Sequence, residues 1–524
     1  MINISKKKDC CGCNACGDVC PKHSITFKID KEGFWYPEVE MDTCIDCHLC
    51  EKVCPLLNKE EYKNIDGYVK PKTYALVHKN IEVRFDSTSG GAFTALAEEV
   101  YKQGGFVGGA IYNEDWSVSQ FLSSSKNDLP KLRSSKYLQS HFDGFYKSVK
   151  EALKTEKPVL VCGSPCQMAA MFRYLKKPYE NLIIVDYICR GIASPMYFRK
   201  WINYLENKHN SKVIFYKAKS KELGWRKLST RIEYANGEAD VIAGHDNPWL
   251  MMQYKVPEIC RPSCFECSFK GFPRTSDITM GDLWAKKGSI PQNLDGDLGT
   301  SIVFANNAKG EAFLSRCFKK VEYKEFPFET AVKGNFHLEN AVRHSSYDRE
   351  TFFQDLNESF EECIDKYIPE FNHQQYSVKS KTKNFLKFVW KISSASGWSI
   401  STWRKNLWYN IFSSKVKTSI FKGHYFIIEK NCTIQINSKG RLILDSALYF
   451  GTKKVKGSIL DSRLLIESGG IMRIYGGDYS ISYGADIEVF RNALLEIGGG
   501  VGANIGLTIV CGDKIKIGKN SGCG

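Results

Sequence analysis

Two stretches of the chain carry the same four-cysteine spacing. Cys10, Cys13, Cys16 and Cys20 follow C-x2-C-x2-C-x3-C and stand before Pro21, and Cys44, Cys47, Cys50 and Cys54 repeat it before Pro55. Thiols this close in sequence serve as disulfide partners, metal ligands or catalytic groups, and the redox compartment decides among these roles. The N-terminus, MINISKKKDC, has lysines but no apolar signal stretch, and no uninterrupted apolar run approaches the ~20 residues that cross a bilayer. The expected location is therefore the cytoplasm, where the 20 cysteines of this 524-residue chain stay reduced and read as ligands rather than bridges.

The doubled spacing is the ferredoxin pattern for two [4Fe–4S] cubanes, in which three close thiolates seat one cluster and the fourth reaches to the other. One cluster is expected on Cys10, Cys13, Cys16 and Cys54, the second on Cys44, Cys47, Cys50 and Cys20, with Cys11 left over. A zinc ribbon is the competing assignment. Zinc sites rarely use three thiols at two-residue gaps, a fourth before proline, and then the whole arrangement again.

Composition divides the chain into four zones. Residues 1–60 form the cysteine module and lead into a charged, turn-prone linker. Residues 72–370 alternate apolar runs (TYALVH, PVLVC, NLIIVDYIC, SIVFA) with amphipathic stretches, the pattern of an α/β domain. Residues 371–427 form a basic linker with Trp390, Trp398, Trp403 and Trp408. From 428 to 524 short apolar pairs recur between glycine turns. Ile497, Ala503, Ile509, Ile515 and Ser521 fall every six residues, with Gly500, Gly506, Gly512 and Gly518 in step, a period that builds parallel β-helices. The net charge of +15 is concentrated: between Glu370 and Glu429 there is no acidic residue and there are ten Lys/Arg. Three readings fit that segment, namely a solvated linker, an amphipathic patch on an anionic membrane face, and a nucleic-acid site. Confinement of the charge to one segment argues against general nucleic-acid binding.

Within the α/β zone Cys166 and Cys189 follow apolar runs, where sites in open α/β sheets collect, and Cys264 and Cys267 form a C-x2-C pair. These four make an economical third cubane, with Cys260 competing with Cys189 for one position and Cys162 reading as a buried inert thiol. Ser87 to Gly91 run into an amphipathic helix, a geometry that binds anionic groups and equally that of a Ser-capped helix. Together with the polar stretch Arg133–Ser140, it suggests a phosphate-bearing cofactor.

Ser89-Gly90-Gly91 with Thr94, Ser135-Lys136-Tyr137, Gly163-Ser164-Pro165-Cys166-Gln167, Asp186 to Gly191, Arg261-Pro262-Ser263-Cys264 and Asp277 to Asp282 together resemble the family of coenzyme F420 hydrogenase/dehydrogenase beta subunits over about residues 1–370. The resemblance implies an FAD-containing iron–sulfur protein that exchanges electrons between ferredoxin-type clusters and a two-electron substrate, with Ser89, Gly90, Gly91, Thr94, Ser135 and Lys136 at FAD or substrate. It does not select the hydride partner or the direction of flow. The C-terminal zone resembles the left-handed β-helix of hexapeptide acyltransferases, but after His424 the chain has no histidine to act as general base, so a truncated or inactive form is expected.

The expected architecture is thus multidomain α+β: a small 2[4Fe–4S] ferredoxin fold, an α/β flavin and iron–sulfur domain, and a left-handed parallel β-helix. The expected function is an FAD-dependent iron–sulfur oxidoreductase, with a redox partner such as ferredoxin and an unidentified organic or glycan-precursor substrate, in surface polysaccharide biosynthesis. Peripheral membrane contact and self-association through the β-helix are further expectations. An electron-transfer module without its own substrate and a polysaccharide acyltransferase with a redox domain are the rivals.

Overall fold

The computed structural model describes the chain apart from residues 60–65, 286–289, 292, 296, 370, 372–377, 397–398, 453–459, 500, 501, 504 and 519–524. Trp398, Gly500 and Ser521 of the sequence patterns lie outside the described residues. Two compact units are present, Met1–Lys221 with Trp225–Ile368, and Pro369–Gly524 with Glu222–Gly224.

The first unit begins with the cysteine-rich segment, whose two halves fold alike. Helices Ala15–Val19 and Leu49–Val53 follow Asn14 (φ 61°) and His48 (φ 57°), and end on Cys20 (ψ 115°) and Cys54 (ψ 116°). The prolines explain both the shortness and the ending. Proline crowds the preceding residue out of the helical region, so each fourth cysteine is forced into extended backbone and leaves the turn that holds the other three. Hairpin Ile25–Ile29/Trp35–Val39 joins the halves.

Behind this segment lies a nine-stranded mixed sheet. From one edge its strands are Val321–Glu325, Lys72–His78, Ser301–Ala305, Ile278–Asp282, Leu182–Tyr187, Val159–Gly163, Phe106–Tyr112, Val118–Ser123 and Ser140–His141. The four from Ile278 to Phe106 run parallel. The apolar runs read from sequence occupy its centre because both faces are covered. Every residue of Ser301–Ala305 is buried, and helices Ala92–Lys102 and Ala308–Cys317 pack on one face.

The cysteine segment is fixed to this sheet by buried polar contacts. Arg261, fully buried, donates from Nε to Cys10 O (2.7 Å), from Nη1 to Gln139 Oε1 (2.9 Å) and from Nη2 to Trp35 O (3.0 Å), and its guanidinium lies 4.2 Å from the Tyr36 ring centroid. Gln139 Nε2 donates in turn to Gly12 O, and a Cβ on Gly12 would stand 2.0 Å from that nitrogen. Asp18 accepts from the amides of Gly144 and Tyr146, Tyr146 Oη donates to Cys13 O, and Arg349 pairs with Glu32 through both carboxylate oxygens.

The second unit is a three-sided coil of parallel strands. One side stacks Val416–Lys417, Arg441–Leu444, Ile471–Tyr475, Leu494–Gly498 and Lys514–Ile517. The second stacks Phe426–Ile428, Leu448–Thr452, Tyr479–Ser482 and Gly502–Ala503, and the third Cys432–Ile436, Ser462–Ile466, Asp486–Val489 and Thr508–Cys511. The six-residue period is one side of this triangle. Ile497, Ala503, Ile509 and Ile515 fall on successive sides, and all four contribute to the core. Ladders such as Leu442–Met472–Leu495–Ile515 and Leu464–Ile487–Ile509 fill the interior.

The basic segment is not an extended tether. It forms helix Val378–Ser396 and helix Ile400–Leu407, which continues as a π turn over Trp408–Phe412. Phe388, Ile392 and Ala395 pack on Tyr425, Ile427 and Ala447 of the coil, and Asn406 and Asn410 satisfy the backbone of Ile428 and Phe426. Among the described residues no helix is long and apolar enough to cross a membrane.

The Arg261 contacts generate a stability prediction. Arg261→Met keeps much of the bulk but leaves two backbone carbonyls and the Gln139 amide oxygen without a donor, each costing about 1–3 kcal/mol when buried. A loss of about 3 kcal/mol or more is expected in denaturant unfolding of the anaerobically purified protein. A loss under about 1 kcal/mol would remove Arg261 as the fastener.

Candidate functional site

Two cavities, each of about 360 Å³ of empty space, open in the cysteine-rich segment. The first is lined by Cys10, Cys13, Cys16 and Cys54 with Cys11, Ile2, Ile4 and Phe27. Around the second stand Cys20, Cys44, Cys47 and Cys50 with Pro21, Ile25 and Val39. The fourth cysteine of each spacing thus lies with the other three-cysteine group, the consequence of the proline-forced extension described above. The thiols stand around a space rather than on a point: among the described residues no three Cys, His, Asp or Glu groups close on a single ion. Backbone amides aim at the sulfurs, from Ile2 to Cys50 (3.2 Å), Ser24 to Cys20 (3.3 Å) and Gly12 to Cys10 (3.4 Å). Four sulfurs round an apolar cavity, with N–H donors and few competing charges, suit a cubane, whose potential such donors tune.

A third group of cysteines gathers at the end of the parallel strands. Cys166 lies in the first turn of helix Pro165–Leu175, directly after strand Val159–Gly163, and Cys189 stands two residues past the adjacent strand Leu182–Tyr187. Because these strands are parallel neighbours, both cysteines leave the sheet at the same end. Cys264 closes the turn Pro262–Cys264, and its sulfur accepts a hydrogen bond from the Ile192 amide (3.4 Å), while Cys267 packs with Cys166 around Ala169 and Phe269. Burial raises the thiols of Cys189, Cys264 and Cys267, and the neighbouring Cys166 adds to the rise at each. Cys260 acts on Cys189 and Cys264 but is buried beside Gly191, where a Cβ would stand 2.9 Å from its sulfur. Cys162 is half-buried within strand Val159–Gly163, and desolvation pushes its thiol up to about 12.

Cys11, outside both spacings, packs on the core cluster that holds Cys13, and the neighbouring thiols of Cys13 and Cys166, with burial, hold its own thiol well above the usual range. It thus has a cysteine of the first group and one of the third as neighbours. Nothing in the spacing singles it out. Only the packing of the cysteine segment on the sheet brings these residues together.

The residues expected at FAD sit on one side of the sheet and are engaged within the protein. Ser89 Oγ donates to Thr300 O (2.8 Å), Ser301 Oγ accepts from the Gly90 amide (2.9 Å), and Thr94 Oγ1 accepts from Arg133 Nε (3.1 Å). Gly91, not a serine, caps helix Ala92–Lys102 with φ 94°, and a Cβ on Gly90 would lie 2.3 Å from Leu76 O, so both glycines are required by the backbone path. The Ser135 amide and hydroxyl meet Thr88 Oγ1. Lys136 Nζ donates to the carbonyls of Lys131, Leu132, Arg133 and Ser134, and burial pulls its pKa down to about 7.

Facing these loops is a lysine row that the sequence reading missed. Strand Val213–Ser220 and the residue after it read KAKSK, and its alternation puts Lys217, Lys219 and Lys221 on one face. Lys217 and Arg133 share Asp86 (2.7 and 2.5 Å), and Lys219 pairs with Asp282 (2.7 Å) beside Tyr137 and Trp284. Lys221 Nζ donates to Arg84 O and Ser89 O, and burial, then Lys217 and Arg84, pull it down to about 6. Asp86 thus carries both a lysine and an arginine. The period-2 lysine pattern was the available signal.

Comparisons with known proteins divide along the same lines. Residues 9–57 match the 4Fe-4S dicluster domain, and residues 156–330 match the C-terminal part of the coenzyme F420 hydrogenase/dehydrogenase beta subunit. The second match contains all the cysteines of the third group, whereas Ser89 to Thr94 and Ser135–Lys136 lie outside it. The chain is 24% identical over 344 residues to an uncharacterized protein of Methanocaldococcus jannaschii, covering 59% of this chain and 86% of that one. It is 22% identical over 188 residues to the F subunit of the F(420)H(2) dehydrogenase of Methanosarcina mazei, covering 34% of this chain and 51% of that relative. A solved chain from the F420-reducing [NiFe] hydrogenase complex of Methanosarcina barkeri is 17% identical, with 54% of this chain and all of that chain covered, at a TM-score of 0.34. The cysteine cavities and the two family matches together make the chain an iron–sulfur electron-transfer protein related to the beta subunit of coenzyme F420 hydrogenase.

Proposed function

We propose that the protein is an FAD-dependent iron–sulfur oxidoreductase with three [4Fe–4S] clusters, held by Cys10, Cys13, Cys16 and Cys54, by Cys44, Cys47, Cys50 and Cys20, and by Cys166, Cys189, Cys264 and Cys267. The single observation that carries this reading is the pair of cavities, each ringed by four cysteines in the crossed arrangement. When bound, clusters supply one-electron transfer and a flavin converts it to hydride chemistry. The chain's own part is to hold these groups close and dry. Arg261 keeps the first cysteine group seated against the sheet, and Ile2, Ile4 and Phe27 keep its cavity apolar. Lys217 and Arg133, paired with Asp86, and Lys219, paired with Asp282, offer cations to the phosphates of FAD at the loop Ser87–Gly91.

The names of the relatives, one from a dehydrogenase and one from a hydrogenase complex, support a redox partner docked to this chain. The C-terminal coil is read as left-handed and of the hexapeptide acyltransferase type, without a histidine beyond His424 for acyl transfer and with a glycan precursor as the associated substrate class. A cytoplasmic location fits the reduced cysteines.

One observation favours the rival reading of a relay without its own flavin. Ser89, Thr94 and Lys136 already spend their polar atoms on protein partners. Cofactor content separates the two. Anaerobically purified protein is expected to hold about twelve irons and one flavin per chain. About eight irons without flavin would favour a relay on two clusters, and colourless zinc-loaded protein would end both readings.

The ligand groups have their own test in electron paramagnetic resonance of the reduced protein. Cys54→Ala and Cys13→Ala are expected to remove the same cluster signal and Cys20→Ala the other. Loss of one common signal in Cys13→Ala and Cys20→Ala would overturn the crossed assignment. Cys264→Ala is expected to spare both N-terminal signals and to lower reduction of the flavin by ferredoxin at least about a hundredfold. Wild-type flavin reduction in that variant would remove the third cluster from the path.

A further inference from the structure

Helix Val378–Ser396 buries one face and leaves an unusual one open. Phe388, Ile392 and Ala395 point into the coil. On the adjoining face Phe385, Leu386, Val389 and Trp390 are 41%, 60%, 36% and 62% exposed. Their spacing places them on one stripe of the helix. Phe421, 56% exposed, extends the stripe: its ring stacks on Phe385 at 6.0 Å, and Asn384 Nδ2 donates to its carbonyl. Single exposed apolar side chains are ordinary on a protein surface, but five large ones clustered on one helix stripe and the turn beside it are not.

Cations frame this stripe. Lys387 and Lys422 are exposed, and Lys391 Nζ lies 5.1 Å from the Trp390 ring centroid. Asp478, 4.0 Å from Lys387, is the acidic group facing it. Across the whole segment between Glu370 and Glu429 there are ten Lys/Arg and no acid. Apolar rings and aliphatic chains flanked by lysines, on a helix too polar to insert across a bilayer, match an interface with acyl chains below and anionic headgroups around. A protein partner of opposite charge would meet the lysines but leave the width of the apolar stripe to be matched. A lipid surface satisfies both without shape complementarity.

We infer that this face, centred on Phe385, Leu386, Trp390 and Phe421, docks the protein peripherally on an anionic membrane surface. The attachment carries the redox unit to the bilayer independently of which substrate that unit serves.

Cosedimentation of the full-length holoprotein with vesicles tests the inference. The protein is expected to pellet with vesicles of phosphatidylcholine mixed with phosphatidylglycerol, to stay in the supernatant with phosphatidylcholine alone, and to be released by salt. Both changed side chains of Leu386→Ser/Trp390→Ser are exposed, so the fold is retained, and this variant is expected to bind the mixed vesicles at least about tenfold more weakly. Lys387→Gln/Lys391→Gln/Lys422→Gln is expected to weaken binding and reduce its salt dependence. Equal pelleting with both vesicle types, or binding unchanged in both variants, would overturn the proposal. So would a wild-type dimer that Leu386→Ser/Trp390→Ser converts to monomer without vesicle binding, because the face would then belong to a second copy of the chain.

Discussion

A guanidinium buried without a carboxylate holds the redox half of this protein together. Arg261 gives its donors to Cys10 O, Trp35 O and Gln139, and rests on the ring of Tyr36. An isolated buried cation is costly unless every donor is used, and here backbone carbonyls and an aromatic face take the place of a counter-ion. The cost has a return in geometry. The same chain turn that begins with Arg261 ends in Cys264, so one contact sets the first cysteine group and the third against each other. Glu32, Asp18 and Tyr146 add further pins around it, and the cysteine-rich segment is a fixed part of the unit rather than a carrier on a tether.

This rigidity bears on electron transfer, which depends steeply on distance and needs little motion. Cys11 illustrates the point. By sequence it is surplus, yet Cys13 and Cys166 are both its neighbours. The sheet contributes by ending two parallel strands side by side, which delivers Cys166 and Cys189 to one place, as open α/β sheets commonly deliver ligands. The lysine row on Val213–Ser220 is the electrostatic counterpart beside the loops around Ser89 and Ser135, with its charges paired to Asp86 and Asp282.

The second unit rests on different physics. Aliphatic ladders supply the core among its described residues, and the six-residue period is legible because the same inward position recurs on each side of the triangle. The basic helices were less legible. Their composition reads as a linker, since lysines and serines dominate, but Phe388, Ile392 and Asn406 find partners in the first coil that no local pattern reveals.

Features encoded over a few residues were available from the chain alone: the doubled cysteine spacing, the prolines that turn Cys20 and Cys54 away, the buried strands, and the period of six. Each depends on backbone preference or on periodicity, which act between near neighbours. Folding alone decided what joins distant residues. Cys10 and Arg261 stand 251 positions apart, and Cys11 meets Cys166 only after the sheet has formed. Burial, charge compensation and the use of every hydrogen-bond donor are properties of surroundings, and a linear order of residues does not contain them.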